Sequence, residues 1–248
     1  MSNSLASKVL AEFIGTFAFV FIGAGAAAVV GDGVGLPGIT AIAFAHGLTI
    51  MVFAFAYGPV SGAHMNPAVT VGVLAAGAMR AGEAVGYVVS QLGGGVIGAL
   101  LLWAVLGGAA TGLGTPALAH GLALGATTVA VSPAAGFVIE AVLAFFLVTV
   151  VLSTAVAGRA GNLAPLAIGM TLTLNIIMGG ALTGAAFNPA RALGPMIVTG
   201  NLSDAWLYMA APIVGAIVAA LVHTGLTRLA RQPATTAEPA QPVQTPAG

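Results

Sequence analysis

Two copies of one tripeptide are the residues most able to do chemistry: Asn66-Pro67-Ala68 and Asn188-Pro189-Ala190. Each interrupts an apolar stretch, and each holds the same place in its half of the chain. Asn is a strong helix N-cap residue and Pro is favoured at the first helical position, so each motif reads as a helix start. The apolar pieces that follow cover only 67–78 and 189–199. At ~1.5 Å per residue each crosses about half of a bilayer core. An Asn oxygen that caps such a half-helix leaves the side-chain NH2 free to donate at the centre of a pore. The residues before the motifs, Gly62-Ala63-His64-Met65 and Gly184-Ala185-Ala186-Phe187, read as non-helical. Irregular backbone is tolerated at membrane depth where it lines a cavity or is buried in protein. The carbonyls of Gly62, Ala63, His64, Met65, Gly184, Ala186 and Phe187 are therefore expected to form ladders of acceptors. A file of water could donate to those carbonyls and accept from the two Asn. Two converging positive helix ends, with Arg191 beside them, would oppose cations and protons. Asn-Pro is also a common turn initiator, and a single copy would read as a loop.

The rest of the chain must hold these two breaks inside lipid. Of 248 residues, 59% are hydrophobic and only 5% charged. A soluble domain would carry roughly a quarter charged residues, so lipid is the solvent here. The expected fold class is an all-α membrane protein with six transmembrane helices and two re-entrant half-helices. Six runs are long enough to span: 8–30, 39–58, 84–107, 134–157, 163–182 and 205–228. The tail 232–248 is rich in Pro, Thr, Gln and Ala and reads as disordered, leaving 1–231 as the channel domain. Net charge is 0, which gives no pointer to a nucleic-acid partner, and no cleavable signal peptide is evident. Lys8, Arg80, Arg159, Arg228 and Arg231 all fall on one side of a six-span chain. The positive-inside rule makes that side, with both termini, cytoplasmic. A plasma (cytoplasmic) membrane is the default for a chain with no organelle address.

The two halves, about 8–107 and 134–228, form a repeat. Glu12 and Phe17 match Glu140 and Phe145, and Gly47-Leu48-Thr49 matches Gly169-Met170-Thr171. The Asn follows that Gly by 19 residues in both halves, and Gly62 and Gly184 each precede it by four. Gly94 and Gly215 follow the Asn by 28 and 27 residues. Three spans per half is an odd number, so the second half is inverted, and its broken segment meets the first near the midplane. Glu12 and Glu140 are costly in lipid unless hydrogen-bonded. They are expected to accept backbone N–H bonds from the two loops and pin them. Arg191, on the opposite face from the other cations, is an ionisable residue at membrane depth and hence a functional candidate, or else a snorkelling interface residue. Gly93-Gly94-Gly95 with Gly98 reads as close helix packing. His223 suits an interfacial place, and Trp103, Trp206 and Tyr208 suit interface or packing roles.

These motifs resemble the aquaporin (major intrinsic protein) family. The likeness rests on Ala11-Glu12-Phe13-Ile14-Gly15-Thr16-Phe17, on Ser61 through Thr70, and on Asn188-Pro189-Ala190-Arg191, and it covers about residues 8–228. It implies an aquaporin-like homotetramer with one pore per subunit. It also implies a selectivity filter near the extracellular mouth, at His46, Ile176, Ala185 and Arg191. That set departs from the narrow water-only type, which pairs Phe and His with a small residue and Arg. It looks like the plant tonoplast aquaporins, some of which pass ammonia, urea, hydrogen peroxide or glycerol. A loop His adds to the filter in some of those proteins, and His120 is either that residue or a plain loop residue. The glycerol-facilitator type is less well matched, having Asp where Ala192 stands and bulkier aromatic residues at His46 and Ala185.

The expected function is a passive channel conducting water in single file, with small neutral solutes as further permeants and protons and ions excluded. A multi-solute glycerol-facilitator-type channel is the alternative. A secondary transporter ranks lower, because Glu12 and Glu140 lie behind the loops and not on a substrate path. An enzyme is disfavoured: no nucleophile–base pair is visible, and four scattered His with no Cys form no metal cluster. Neither cofactor nor metal is expected. The partners are water, small neutral solutes, the lipid bilayer and other copies of the chain.

Overall fold

The apolar runs wind into helices because each backbone polar group at membrane depth must be satisfied within its own segment. The structure, a computed structural model, describes residues 3–31 and 35–230. Arg231 and the tail expected to be disordered lie outside the described residues. In chain order the helices are α1 (Leu5–Val30), α2 (Gly35–Ser61), α3 (Pro67–Ala75), α4 (Ala81–Val105), α5 (Pro133–Val156), α6 (Ala164–Thr183), α7 (Pro189–Thr199) and α8 (Ala205–Ala230). All but α3 and α7 are long and apolar enough to cross a membrane. A short antiparallel hairpin, β1 (Leu122–Leu124) and β2 (Thr127–Val129), sits in the α4–α5 connection.

Local chemistry sets the boundaries. Ser4 and Ser132 cap α1 and α5 by accepting from the N–H of Ser7 and Ala135, and Pro133 opens α5. α4 starts a turn earlier than its apolar run suggests, at Ala81. Glu83 stands in that first turn, where the helix dipole favours an acid, and pairs with Lys8 at 2.7 Å. α3 is shorter than expected and ends at Ala75. Gly77, at φ +74°, turns the chain so that the Ala78 N–H returns to the Val73 carbonyl at 3.0 Å. Both first spans contain a π-turn that the apolar pattern does not reveal, Phe19–Ala24 in α1 and Leu152–Val156 in α5.

Packing follows the repeat. α1 lies on α4 as α5 lies on α8, and α2 crosses α6 at the pseudo-twofold axis. The half-helix α3 rests on α8, α4 and α5, while α7 rests on α4, α8 and α1. Glycines permit these approaches. A Cβ at Gly94 would stand 3.0 Å from the Phe17 nitrogen on α1, and one at Gly215 would stand 2.8 Å from the Ala141 carbonyl carbon on α5. A Cβ at Gly169 would stand 2.6 Å from the Gly47 carbonyl oxygen at the α2–α6 crossing. With no hydrophobic drive between helices in lipid, such backbone-close contacts hold the bundle together. The main core surrounds the loops before the half-helices, with Met65 and Phe187 among Leu147, Val148, Leu172 and Ile176.

The α8–α5 contact gives a stability test. Gly215→Val is expected to destabilise the detergent-solubilised protein by about 1–3 kcal/mol or more, read as a lower thermal midpoint. Gly225→Val, at a position on α8 with open space around it, should leave that midpoint nearly unchanged.

Candidate functional site

The loop that enters each half-helix has backbone that L-residues avoid. Ala63 and Met65 stand at φ +49°, Ala185 at +40° and Phe187 at +28°, with Gly62 and Gly184 also positive. Left-handed backbone costs a non-glycine residue about 1–2 kcal/mol, so something must hold it. The two buried carboxylates do. Glu12 Oε1 accepts from the Ser61 hydroxyl at 2.6 Å and the His64 N–H at 2.8 Å. Its Oε2 accepts from the Met65 N–H at 2.6 Å and the Gln91 amide at 2.7 Å. Glu140 Oε1 accepts from the Thr183 hydroxyl at 2.6 Å and the Ala186 N–H at 3.1 Å, and Oε2 from the Phe187 N–H at 2.5 Å. The Ser61 and Thr183 hydroxyl oxygens each accept a further N–H, from Ala63 and Ala185.

The half-helices meet end to end. Asn66 Oδ1 caps α3 through the Ala68 N–H at 2.8 Å, and Asn188 Oδ1 caps α7 through Ala190 and Arg191 at 3.0 and 3.2 Å. The side-chain NH2 groups cross the junction. Asn66 donates to the Phe187 carbonyl at 3.0 Å and Asn188 to the Met65 carbonyl at 2.9 Å. This corrects one expectation. The NH2 groups are not wholly free, since one hydrogen of each is used across the junction. The Met65 and Phe187 carbonyls each accept from the opposite Asn, which leaves each oxygen one lone pair. Both Asn side chains still carry a second N–H, and both line a cavity.

That cavity holds about 30 Å³ beside Asn66 and Asn188, with Gly62, Ala63 and His64 on one wall and apolar Val69, Leu147, Ile168 and Leu172 around it. One water needs roughly 10–15 Å³, so the cavity has room for about two. It shares Gly62, His64, Val151, Ala155 and Ile168 with a vestibule of about 610 Å³. The vestibule lies at the C-terminal ends of α2 and α5 and the start of α6, near the face that carries Lys8, Arg80 and Arg159. His64 lines both spaces, with its Nδ1 3.1 Å from the Thr70 hydroxyl and its ring edge-on to Tyr87.

On the other side of the Asn pair the structure brings His46 and Arg191 together. His46 Nδ1 lies 2.9 Å from the Ile42 carbonyl, so Nδ1 carries the proton and Nε2 accepts. The Arg191 Nε–H donates to that Nε2 at 3.4 Å. Both side chains are buried, and Arg191 Nη1 has no hydrogen-bond partner among the described residues. Ile176 and Ala185 are buried in the same core, and Ala185 packs beside Gly179, one turn along α6 from Ile176. Gly184 packs against Pro116 of the α4–α5 connection, while Ala186 is buried near Leu118. His120 is exposed on that connection, and no contact joins it to His46 or Arg191.

Several supporting residues escape a reading of the sequence. The Tyr87 hydroxyl donates to the Ser61 carbonyl at 2.6 Å, and the Tyr208 hydroxyl donates to the Thr183 carbonyl at 2.6 Å. Tyr208, expected at an interface or in packing, is wholly buried and pins the second loop. A signal was available, because the 121-residue offset from Gly94 to Gly215 also carries Tyr87 onto Tyr208. Gln91, which joins Glu12 to Thr70, falls on Pro212 by that offset and has no repeat signal.

Set beside known proteins, residues 1–223 match the family profile described as Major intrinsic protein. The chain belongs to that family. It is 40% identical over 219 residues to Aquaporin NIP1-2 of Oryza sativa subsp. japonica, covering 87% of this chain and 70% of that protein. It is also 40% identical over 225 residues to Aquaporin TIP4-4 of Zea mays, covering 88% of this chain and 85% of that one. Plant TIP-type aquaporins thus stand among its relatives. A structure titled as the aquaglyceroporin from Plasmodium falciparum superposes with a TM-score of 0.74 at 23% identity, over 91% of this chain and all of that one, and shows the shared fold. With six apolar spans, this major intrinsic protein is an integral membrane protein.

Tyr208→Phe and Tyr87→Phe should each destabilise the protein by about 1–3 kcal/mol, because each leaves a buried loop carbonyl without its hydroxyl donor. Equilibrium denaturation in detergent reads this, and the two losses should be similar.

Proposed function

We propose that this chain is a passive channel that moves water in single file, admits small neutral solutes, and excludes protons and ions. One observation carries the reading. The 122-residue offset between Asn66 and Asn188 takes His46 to Ile168, Ile176 to Ala54, Ala185 to Ala63 and Arg191 to Val69. Ile168, Ala63 and Val69 line the narrow cavity, and Ala54 lines the vestibule. In a fold built on a pseudo-twofold axis, the mates of wall residues in one arm are wall residues in the other. This supports His46, Ile176, Ala185 and Arg191 as the narrow filter of the opposite arm. A molecule there meets one guanidinium with an unshared N–H, one imidazole, and two apolar walls. At the centre it meets the two remaining Asn N–H donors, and on the inner side the carbonyls of Gly62, Ala63 and His64.

Cations are opposed by Arg191 and by two helix N-termini that abut. A proton wire is opposed by the same field and by the Asn donors, which fix the orientation of a central water. Glu12 and Glu140 have no exposed surface and every carboxylate oxygen accepts at least one donor, which speaks for a passive path over a coupled transporter. The face that carries Lys8, Arg80, Arg159 and Arg228 is cytoplasmic on this reading, in a plasma-type membrane, and the assembly is a homotetramer with a pore in each copy.

Stopped-flow light scattering on proteoliposomes tests the reading. An osmotic step in sucrose should give fast shrinkage with a low activation energy, and a glycerol step measures how wide the filter is. Shrinkage no faster than that of empty liposomes would sink the channel proposal. Arg191→Val is expected to raise leak of cations or protons, or to admit larger solutes. Unchanged permeability to all of these would remove Arg191 from the filter. His46→Phe should cut glycerol or ammonia flux more than water flux.

A further inference from the structure

We infer that Gly23, in the π-turn of α1, sets the position of the His46 ring and thereby the width of the passage beside Arg191. The inference rests on the filter reading above. The His46 ring is boxed in. Its Nδ1 is tied to the Ile42 carbonyl at 2.9 Å, and its Nε2 accepts from Arg191 at 3.4 Å. Phe19 meets it edge-on, with ring centroids 5.3 Å apart at 81°. On a further side stands Gly23. A Cβ placed there would lie 2.6 Å from His46 Cδ2, 2.8 Å from Nε2 and 2.9 Å from Cγ. All three distances are too short for any side chain, so the ring occupies the space a methyl group would need.

Phe19 and Gly23 belong to the same π-turn, Phe19–Ala24. Such single wide turns inside α-helices often sit at functional sites. Here the turn presents an aromatic edge and a bare backbone to one imidazole. Backbone conformation does not require glycine at this position, since Gly23 is not among the residues with positive φ, and Ala is the better helix former. The missing side chain is therefore a matter of space. α1 and α6 both pack on α2, which carries His46. A ring pressed off Gly23 moves away from α1, into the space beside Arg191, and narrows the filter. Gly23 is a positioning residue that acts on permeants only through His46.

Proteoliposome fluxes of water and glycerol test this with four variants. Gly23→Ala should lower the glycerol-to-water permeability ratio by about tenfold, a change of about 1.4 kcal/mol in the difference between the two barriers. In the double variant Gly23→Ala/His46→Ala the ratio should return to that of His46→Ala alone, because the added methyl then has no ring to displace. Gly25→Ala is the control. Its methyl would press on Leu102, 2.9 Å away, and should leave the ratio unaltered. An unchanged ratio in Gly23→Ala overturns the inference, as does a loss that persists in the double variant or appears equally in Gly25→Ala. The filter reading is judged separately by His46→Ala: an unchanged ratio there removes His46 from the filter. Where wild type passes no glycerol, ammonia serves as the solute. Return of the ratio in the double variant separates a shifted ring from a damaged fold.

Discussion

Two buried carboxylates hold this structure together. A glutamate in a lipid-spanning helix is expensive unless its oxygens are filled with donors. Glu12 and Glu140 are each wholly buried, and each takes the N–H groups of the two residues immediately before an Asn. The exchange is reciprocal. The loop donors make the carboxylate tolerable, and the carboxylate holds the left-handed backbone at Ala63, Met65, Ala185 and Phe187. Once those loops are fixed, Asn66 and Asn188 start their helices at the midplane and reach across to each other's loop. The passage beside them is a consequence of that junction.

The repeat explains the scaffold, and its departures place the chemistry. Hydroxyl, carboxylate, tyrosine and asparagine recur in both halves with nearly the same hydrogen bonds. The polar side chains of the proposed filter do not recur. The mates of His46 and Arg191 are Ile168 and Val69, so one arm has a polar, cationic side and the other an apolar wall with backbone acceptors. Glu12 has one more side-chain partner than Glu140, the Gln91 amide, which also ties in Thr70 and through it His64. An inverted repeat that was perfectly symmetric would present the same surface to both sides of the membrane. Selectivity concentrated near one mouth requires the symmetry to fail there.

Close helix contact is the second condition. The bundle relies on glycines where backbone meets backbone, at Gly94, Gly215, Gly47 and Gly169. In lipid these approaches replace the hydrophobic drive that would pack a soluble bundle. They also bring α2 and α6 near enough for side chains from both to face one narrow space.

The sequence by itself determined the six spans, the two half-helices, the inverted repeat and the pinning role of the two glutamates. Apolar run length, N-cap chemistry and the register of matching residues are local or periodic signals, and a chain carries those openly. Likeness to a family suggested His46 and Arg191 as filter residues, and the structure shows only that their side chains meet. Tertiary structure alone decided where hydrogen bonds go between residues far apart in the chain. It directed one N–H of each Asn to the opposite loop carbonyl, buried Tyr87 and Tyr208 under the loops, and left His120 exposed. It placed the two π-turns, which apolar periodicity cannot show because one extra residue in a turn leaves an all-apolar helix all apolar. It also turned Gly23 from one small residue among many into the neighbour of His46. Donor–acceptor pairing and steric contact depend on three-dimensional distance, and residue type and spacing fix that distance only after the helices have packed.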